Sequence, residues 1–524
     1  EGCGDCSVKS NCLSVVPVET EFGRKRQIDQ SSCNKDFSCV NGFCPSFVTV
    51  HGGRLRKSKA GAGASDPAAG LPEPALPAIG AEPYNVLVTG VGGTGVVTIG
   101  ALLGMASHLE GKGVSVLDMT GLAQKGGAVL SHVRIARQPE DIHSTRVAAG
   151  EANLVLGCDL VVAAASEALG KMREGVTKAV VNSHETPTGD FTRNPDMAFP
   201  AAALLDTVKQ SVGMAATDVV EATRLATALL GDAIATNLFM LGFAYQRGLI
   251  PVSGEAILAA ISLNGVAVEM NQAAFHWGRL AAHDLARVER AAAPRAVMAA
   301  RLISRSLEEI VARRVGELTA YQDAAYAARY KELVERVAAA EAARAKGMSG
   351  LAEAIARYYY KLLAYKDEYE VARLYTDGSF MRALAEQFEG DYKLEFHLAP
   401  PLTAERDAVT GELKKRKYGR WIFPLFRLVA CFKGLRGTAF DPFGRTAERK
   451  RERALIAEYE TVIEELLARL DHDNHALAVE IAALPEHIRG YGHIKDRHIA
   501  DVKVLEAELL AAFRAPPARR TAAE

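Results

Sequence analysis

NVLVTGVGGTGVVTIGALLGMASHLEGKGVSVLDMTGLAQKGGAVLSHVRIA, from Asn85 to Ala136, decides the fold class. NVLVTG is short, apolar and β-branched, which suits a buried strand, and Gly90-Val91-Gly92-Gly93-Thr94-Gly95 then turns the chain into a helical run reaching about Glu110. VSVLDM follows as a second strand, and the order strand, glycine turn, helix, strand predicts an α/β layer with Rossmann-like winding. Positions without side chains let backbone N–H groups approach an anion at a helix N-terminus. Gly90, Gly92, Gly93 and Gly95 are therefore candidate binding residues, and Asp118, ending the next strand, stands where a dinucleotide fingerprint places its ribose-binding acid. A tight turn that binds no nucleotide fits the same letters.

Downstream, further strands are expected at Ala128–Ile135, Asp159–Ala164 and Lys178–Val181, and helices at Asn237–Arg247, Gly254–Leu263 and Ala267–His283. This α/β domain spans residues 84–290. Residues 291–524 read as a mostly α-helical domain. Ile303, Leu307, Ile310 and Val311 share one face there, as do Leu455, Tyr459, Val462, Ile463, Leu466 and Leu470. Upstream, residues 52–83 are rich in Gly, Ala and Pro without apolar periodicity, the composition of a flexible linker.

Six of the eight cysteines crowd into residues 1–51: Cys3, Cys6, Cys12, Cys33, Cys39 and Cys44. A chain of 524 residues with no secretory leader pattern is expected in the cytoplasm, where clustered thiolates hold metal more often than disulfides. Cys3 and Cys6 form CxxC, Cys12 follows, and Cys44 stands directly before Pro45. In two-cluster ferredoxins the cysteine before proline ligates the cluster of the opposite motif, which assigns Cys3, Cys6, Cys12 and Cys44 to one 4Fe-4S cluster in a ferredoxin-like module. The matching position of the first motif is Val16, before Pro17, so a second cluster lacks its exchanged ligand. Cys33 and Cys39 are then remnants or ligands in a rearranged set. A zinc site of Cys3, Cys6, Cys33 and Cys39 is the competing arrangement. Val15 to Ile28 alternates around Phe22-Gly23, which predicts two short strands.

The composition, 49% hydrophobic and 24% charged with a net charge of −1, gives no pull toward nucleic acid, and no apolar run is long enough for a membrane span. The basic, aromatic stretch Lys414–Arg436 is read as packing against a neighbour rather than as a nucleic-acid or membrane surface. Cys158 and Cys431 are expected to be buried thiols and His132 and His184 structural. No catalytic residue is singled out.

Gly90 to Ala136 resembles the gamma domain of 2-oxoacid:ferredoxin oxidoreductases in its glycine loop, its helix ending in Gly111-Lys112, its polar glycine segment Gly121–Gly127 and its strand ending in Val133-Arg134-Ile135. EGCGDCSVKSNCLSVVPVETEFGRKRQIDQSSCNKDFSCVNGFCPSF and Gly490-Tyr491-Gly492-His493-Ile494-Lys495 are similar to the cysteine segment and the C-terminal extension of fused indolepyruvate ferredoxin oxidoreductases, so the likeness runs along nearly the whole chain. It implies oxidative decarboxylation of an aryl 2-oxoacid to its acyl-coenzyme A, with electrons leaving through a 4Fe-4S cluster to ferredoxin. Thiamine diphosphate and Mg2+ would sit in a half preceding Glu1, making this chain a fragment or split product, inactive alone and probed only with its thiamine-binding partner. A homo-oligomer is expected. Gln124, Lys125, Gly126 and Gly127 would set a cation and pliant backbone beside an anionic 2-oxoacid or coenzyme A, the competing reading being a solvated loop lysine. Two alternatives are an iron-sulfur reductase binding NAD(P) or flavin, with Asp118 on the ribose, and a zinc-stabilised interaction module.

Overall fold

The computed structural model describes residues 2–56, 67–121, 127–186, 189–192, 194, 196–292, 303–400, 404–405 and 413–515. It divides into two compact units, one of residues 1–28, 35–55 and 298–524, the other of residues 29–34 and 56–297. In the first, a short helix Asp5–Ser10 leads to β1 (Val15–Thr20) and β2 (Gly23–Ile28), an antiparallel hairpin in which Thr20 faces Gly23. The expected turn at Phe22-Gly23 is present, and Gly23 supplies its positive φ of 81°. β3 (Val48–His51) and β4 (Arg54–Leu55) follow the last clustered cysteine.

The second unit is built on a six-stranded sheet of β5 (Tyr84–Val91), β6 (Gly113–Thr120), β7 (Ala128–Ala136), β8 (Leu154–Gly157), β9 (Lys178–Asn182) and β10 (Thr217–Val220), ordered β10-β9-β8-β5-β7-β6. Strands β5, β8, β9 and β10 are parallel, whereas β7 runs antiparallel between β5 and β6. The sheet is therefore mixed, where Rossmann-like winding predicts β6 directly beside β5. The seven residues from Gly121 to Gly127 are too few for a parallel crossover, which needs roughly a dozen, so β7 turns back along β6.

Alternate side chains of β5 enter two cores. Val86 and Val88 pack with helix Val96–Leu109 and with helices Thr236–Gln246, Gly254–Asn264 and Val268–His283, while Leu87 joins Leu130, Val155 and Val181 against helix Ala201–Val212. The expected helices lie within a residue of their predicted bounds. The expected strand at Asp159–Ala164 is instead a helical turn, Leu160–Ala163, and the strand is Leu154–Gly157. Asp159 is the reason: its Oδ1 accepts the N–H of Val162 at 3.0 Å, an N-cap that ends one apolar run and starts the next. Part of the stretch read as linker is docked on this unit. Glu73 pairs with Arg279 at 2.8 Å and accepts the Tyr245 hydroxyl at 2.6 Å, and Leu71 and Ile79 cover the core. Proline-rich chain without periodicity can still lie along a surface, because such docking needs single anchors rather than a repeating face.

The remaining elements return to the first unit. β11 (Phe388–Glu389) pairs with β4, and β12 (Lys393–Leu398) lies between β3 and β13 (Arg416–Tyr418). Long helices Leu307–Tyr321, Ala324–Arg344, Leu351–Leu363, Ala447–Arg469 and Gly492–Arg514 make the rest. Ile310, Leu455, Tyr459, Ile463, Leu466 and Leu470 are buried together as their spacing predicts; Ile303 is 47% exposed because it precedes the helix. Cys158 is buried, but Cys431, expected inside, ends helix Ile422–Cys431 on the exposed face. Among the described residues no helix is long and apolar enough to cross a membrane.

Candidate functional site

Parallel strands deliver their following loops to one edge of a sheet, and crevices form outside their carboxyl ends. In the α/β unit that edge carries the glycine loop after β5, Cys158 and Asp159 after β8, Asn182 and His184 at the end of β9, and Glu221 after β10. Gly90 is required by packing, since a Cβ there would stand 2.6 Å from Val96 Cγ2. Gly93 and Gly95 are required by φ values of 87° and 93°. Gly92 donates its N–H to the Gly127 carbonyl at 2.8 Å, tying the loop to the start of β7. Asn237 Nδ2 donates to the Thr94 carbonyl at 2.9 Å, fixing the loop from helix Thr236–Gln246. The structure thus brings Gly90, Gly92, Gly93, Gly95 and Gly127 into one framework. Gln124, Lys125 and Gly126 lie outside the described residues.

Asn182, overlooked in the sequence, crosses the strand ends: its Nδ2 donates to the Cys158 carbonyl at 3.0 Å and to Thr223 Oγ1 at 2.8 Å. Its signal was its place, a polar residue directly after the apolar run AVV. Burial raises the carboxyl pKa of Asp159 and lowers that of the His184 imidazole, the latter despite the charges of Glu221, Asp29 and Asp159. Both shifts favour uncharged forms. The edge therefore sets hydrogen-bonding side chains around the N-terminus of helix Val96–Leu109, an arrangement suited to holding a polar or anionic ligand. Asp118 does not join it. It lies on β6, two strand spacings (about 10 Å) from β5 across β7, so it is misplaced to grip a ribose held by this loop. His132 is buried, and Val147 N–H donates to its Nδ1 at 3.2 Å, a structural role as expected.

The second arrangement lies in the first unit. Cys3, Cys6 and Cys44 line one cavity of about 250 Å³, together with Asp5, Arg26 and Phe47. The helix Asp5–Ser10 carries Cys6, and Gly42 fits against it because a Cβ there would stand 2.6 Å from Cys6 Cα. Burial pushes the Cys3 thiol up to about 11, and burial followed by the charge of Cys44 raises Cys6. Their mutual influence is what closely spaced thiols show. None of the eight cysteines is in a disulfide. As placed, no group of three or more His, Cys, Asp or Glu among the described residues is gathered tightly enough to hold a metal ion. Cys12 does not line the cavity; Cys39 lies in the turn Ser38–Asn41 packed near the helix, and Cys33 belongs to the other unit.

Comparison with known proteins separates the same two regions. A family model described as pyruvate ferredoxin/flavodoxin oxidoreductase matches residues 85–281, and one described only as a family of unknown function, DUF6537, matches residues 307–508. The chain is 28% identical over 197 residues to indolepyruvate oxidoreductase subunit IorB of Methanothermobacter thermautotrophicus, covering 37% of this chain and 95% of that protein. It is also 28% identical over 205 residues to the subunit of the same name from Pyrococcus horikoshii, 38% of this chain and 97% of that one. Among solved structures, pyruvate oxidoreductase subunit PORC of Thermotoga maritima aligns with 38% of this chain and 96% of its own, at 20% identity and a TM-score of 0.28. The α/β unit is thus the part of the chain that is similar to the 2-oxoacid:ferredoxin oxidoreductases, through the family model over residues 85–281 and through nearly the full length of these subunits.

Proposed function

We propose that the chain is the electron-exit component of an indolepyruvate, or related aryl 2-oxoacid, ferredoxin oxidoreductase. In this reading Cys3, Cys6, Cys12 and Cys44 bind one 4Fe-4S cluster. The observation that carries it is the meeting of Cys3, Cys6 and Cys44 on one cavity in a chain that also contains a domain of this oxidoreductase family. Three of the four thiols fit the cluster's donor set, soft anionic sulfur from a tight turn and a returning segment, and Cys12 would complete it by a shift of the loop after helix Asp5–Ser10. When bound, the cluster supplies one-electron transfer to ferredoxin, while thiamine diphosphate with Mg2+, on a partner half, supplies the carbanion chemistry of decarboxylation.

The residues of this chain hold and shield. Arg26 brings a positive charge to the cavity, which offsets part of the cost of a buried thiolate at Cys6, and Val15, Phe47 and Val48 give the cavity an apolar wall. At the sheet edge, the N-terminus of helix Val96–Leu109 and the Gly90–Gly95 backbone form a wall for an anionic 2-oxoacid or for the coenzyme A acceptor, with Gln124 and Lys125 as further contacts.

Iron, acid-labile sulfide and zinc should be measured on anaerobically reconstituted chain, with electron paramagnetic resonance after reduction. The reading expects about four irons and four sulfides, lost in Cys3→Ser, Cys6→Ser, Cys12→Ser and Cys44→Ser but retained in Cys33→Ser and Cys39→Ser. Zinc without sulfide would sink it. Turnover, tested with a thiamine-binding partner and several 2-oxoacids, should be greatest with an aryl substrate.

A further inference from the structure

The region matched only by the family of unknown function surrounds the cysteine segment within one unit. β3, which begins four residues after Cys44, is completed by β12: Val48 faces Phe396 and His51 faces Lys393. The Tyr375 hydroxyl donates to the Pro45 carbonyl at 2.6 Å. Gly490, with φ 99°, leaves space that Cys3 uses: a Cβ on Gly490 would stand 3.3 Å from Cys3 Cβ. The Phe43 ring lies 5.2 Å from that of His493 and against Gly492. Most directly, Lys415 Nζ donates to the carbonyls of Val40 at 3.1 Å, Cys44 at 2.7 Å, and Gly42, so one ammonium gathers three carbonyls of the loop between Cys39 and Cys44.

A peptide loop that turns three carbonyls to one point needs donors there, because buried carbonyls left without partners each cost free energy. Within the cysteine segment the Cys44 N–H donates to the Gly42 carbonyl at 2.9 Å, but the one group that reaches all three carbonyls comes from the C-terminal region, from the residue preceding β13. Beside an iron-sulfur cluster the same buried cation would favour the reduced, more negative state, and charge and hydrogen bonding near the sulfurs set cluster potentials.

We propose that the helical region of residues 303–515 is the housing of the cysteine centre, and that Lys415 is its positioning residue, holding the Cys39–Cys44 loop so that Cys44 faces Cys3 and Cys6. The inference deepens the cluster reading and rests on it for its redox consequence, while its structural consequence can be read without iron.

The test uses the full chain. In metal-free protein under reducing conditions, iodoacetamide labelling followed by peptide mass spectrometry should show Cys44 and Cys39 alkylated several-fold faster in Lys415→Met than in the parent, with Cys12 unchanged and Lys415→Arg close to the parent. In reconstituted protein, Lys415→Met should lower the midpoint potential and hasten iron loss to a chelator. Should Lys415→Met lose helical circular dichroism, Tyr375→Phe, which removes only the bond to Pro45, carries the same expectation for Cys44. Unchanged Cys44 labelling in a folded Lys415→Met protein, or an equal rise at Cys12, overturns the proposal. If the parent binds no iron and sulfide, the cluster reading fails while the labelling still decides the role of Lys415.

Discussion

Arg436 and Asp367 meet as a bidentate pair, Nε to Oδ2 at 2.6 Å and Nη2 to Oδ1 at 2.9 Å, with both side chains only 3% exposed. The guanidinium also lies 3.6 Å above the Tyr321 ring and donates to the Tyr321 carbonyl at 2.7 Å, while Asp367 caps helix Glu368–Thr376 through Glu370 N–H. The basic stretch Lys414–Arg436 thus ends in an internal anchor, which accounts for a cation that its letters alone could have assigned to an anionic surface. Removing one partner leaves an uncompensated buried charge. Asp367→Ala is expected to destabilise the unit by about 3 to 5 kcal/mol, seen as a lower urea midpoint and early loss of hydrogen-exchange protection across Glu368–Thr376.

Helices Thr236–Gln246 and Val268–His283 touch through two glycines. A Cβ on Gly278 would stand 1.9 Å from the Phe239 carbonyl oxygen, and one on Gly242 2.0 Å from that of Phe275. Both obstacles are backbone, so no rotamer change relieves them. Gly278→Ala should cost about 3 kcal/mol or more by forcing the helices apart. Its mark would be a lowered melting temperature with a red-shifted Trp277 fluorescence, since Trp277 packs in the same core.

Glu21 is buried at the hairpin turn, where its Oε2 accepts the Ser304 N–H at 2.6 Å and its carboxylate lies 3.3 Å from both Arg313 and Arg314. Burial alone would raise its pKa, but the Ser304 bond and the two guanidinium groups outweigh it and hold the carboxyl below its usual range. A depressed carboxyl contributes stability that is fully present above its unfolded pKa of about 4.3 and is lost as pH falls through the folded value. Glu21→Gln should therefore be less stable than the parent at pH 6, with the deficit shrinking toward pH 3 in urea titrations.

Much of the α/β unit was legible because its signals are local. Glycines bound the loop, NVLVTG alternates between two cores, and Pro251-Val252-Ser253 announces a helix in which Ser253 Oγ accepts the Ala256 N–H. The order of strands was not legible. That β7 inserts between β5 and β6 depends on a seven-residue return, and it moves Asp118 away from a loop with which it matches in spacing. In the cysteine segment the local letters and the distant contacts part company. CxxC and Cys44-Pro45 point to shared ligation, and three of those sulfurs do share a cavity, but nothing near them names Lys415, which reaches the loop from 371 residues further along the chain. Contacts of that separation have no period or motif, so they appear only once the sheet of β3, β12 and β13 is formed.

His132 offers a test of the sheet itself. It lies at the centre of β7 with no side-chain exposure, and burial, then the nearby charges of Lys171 and Arg146, bring its pKa down to about 4 despite Glu167. Since an unfolded histidine titrates near about 6.5, the folded sheet binds fewer protons than the unfolded chain between those values. Stability of this unit is thus full above about pH 6.5 and falls as the pH drops toward 4, by about 3 kcal/mol over the window. His132→Gln keeps an acceptor for Val147 N–H but cannot become charged. The substitution is expected to flatten the pH dependence of hydrogen-exchange protection in β5 and β7 between pH 6.5 and 4, and an unchanged slope would assign the acid sensitivity of the sheet to other groups.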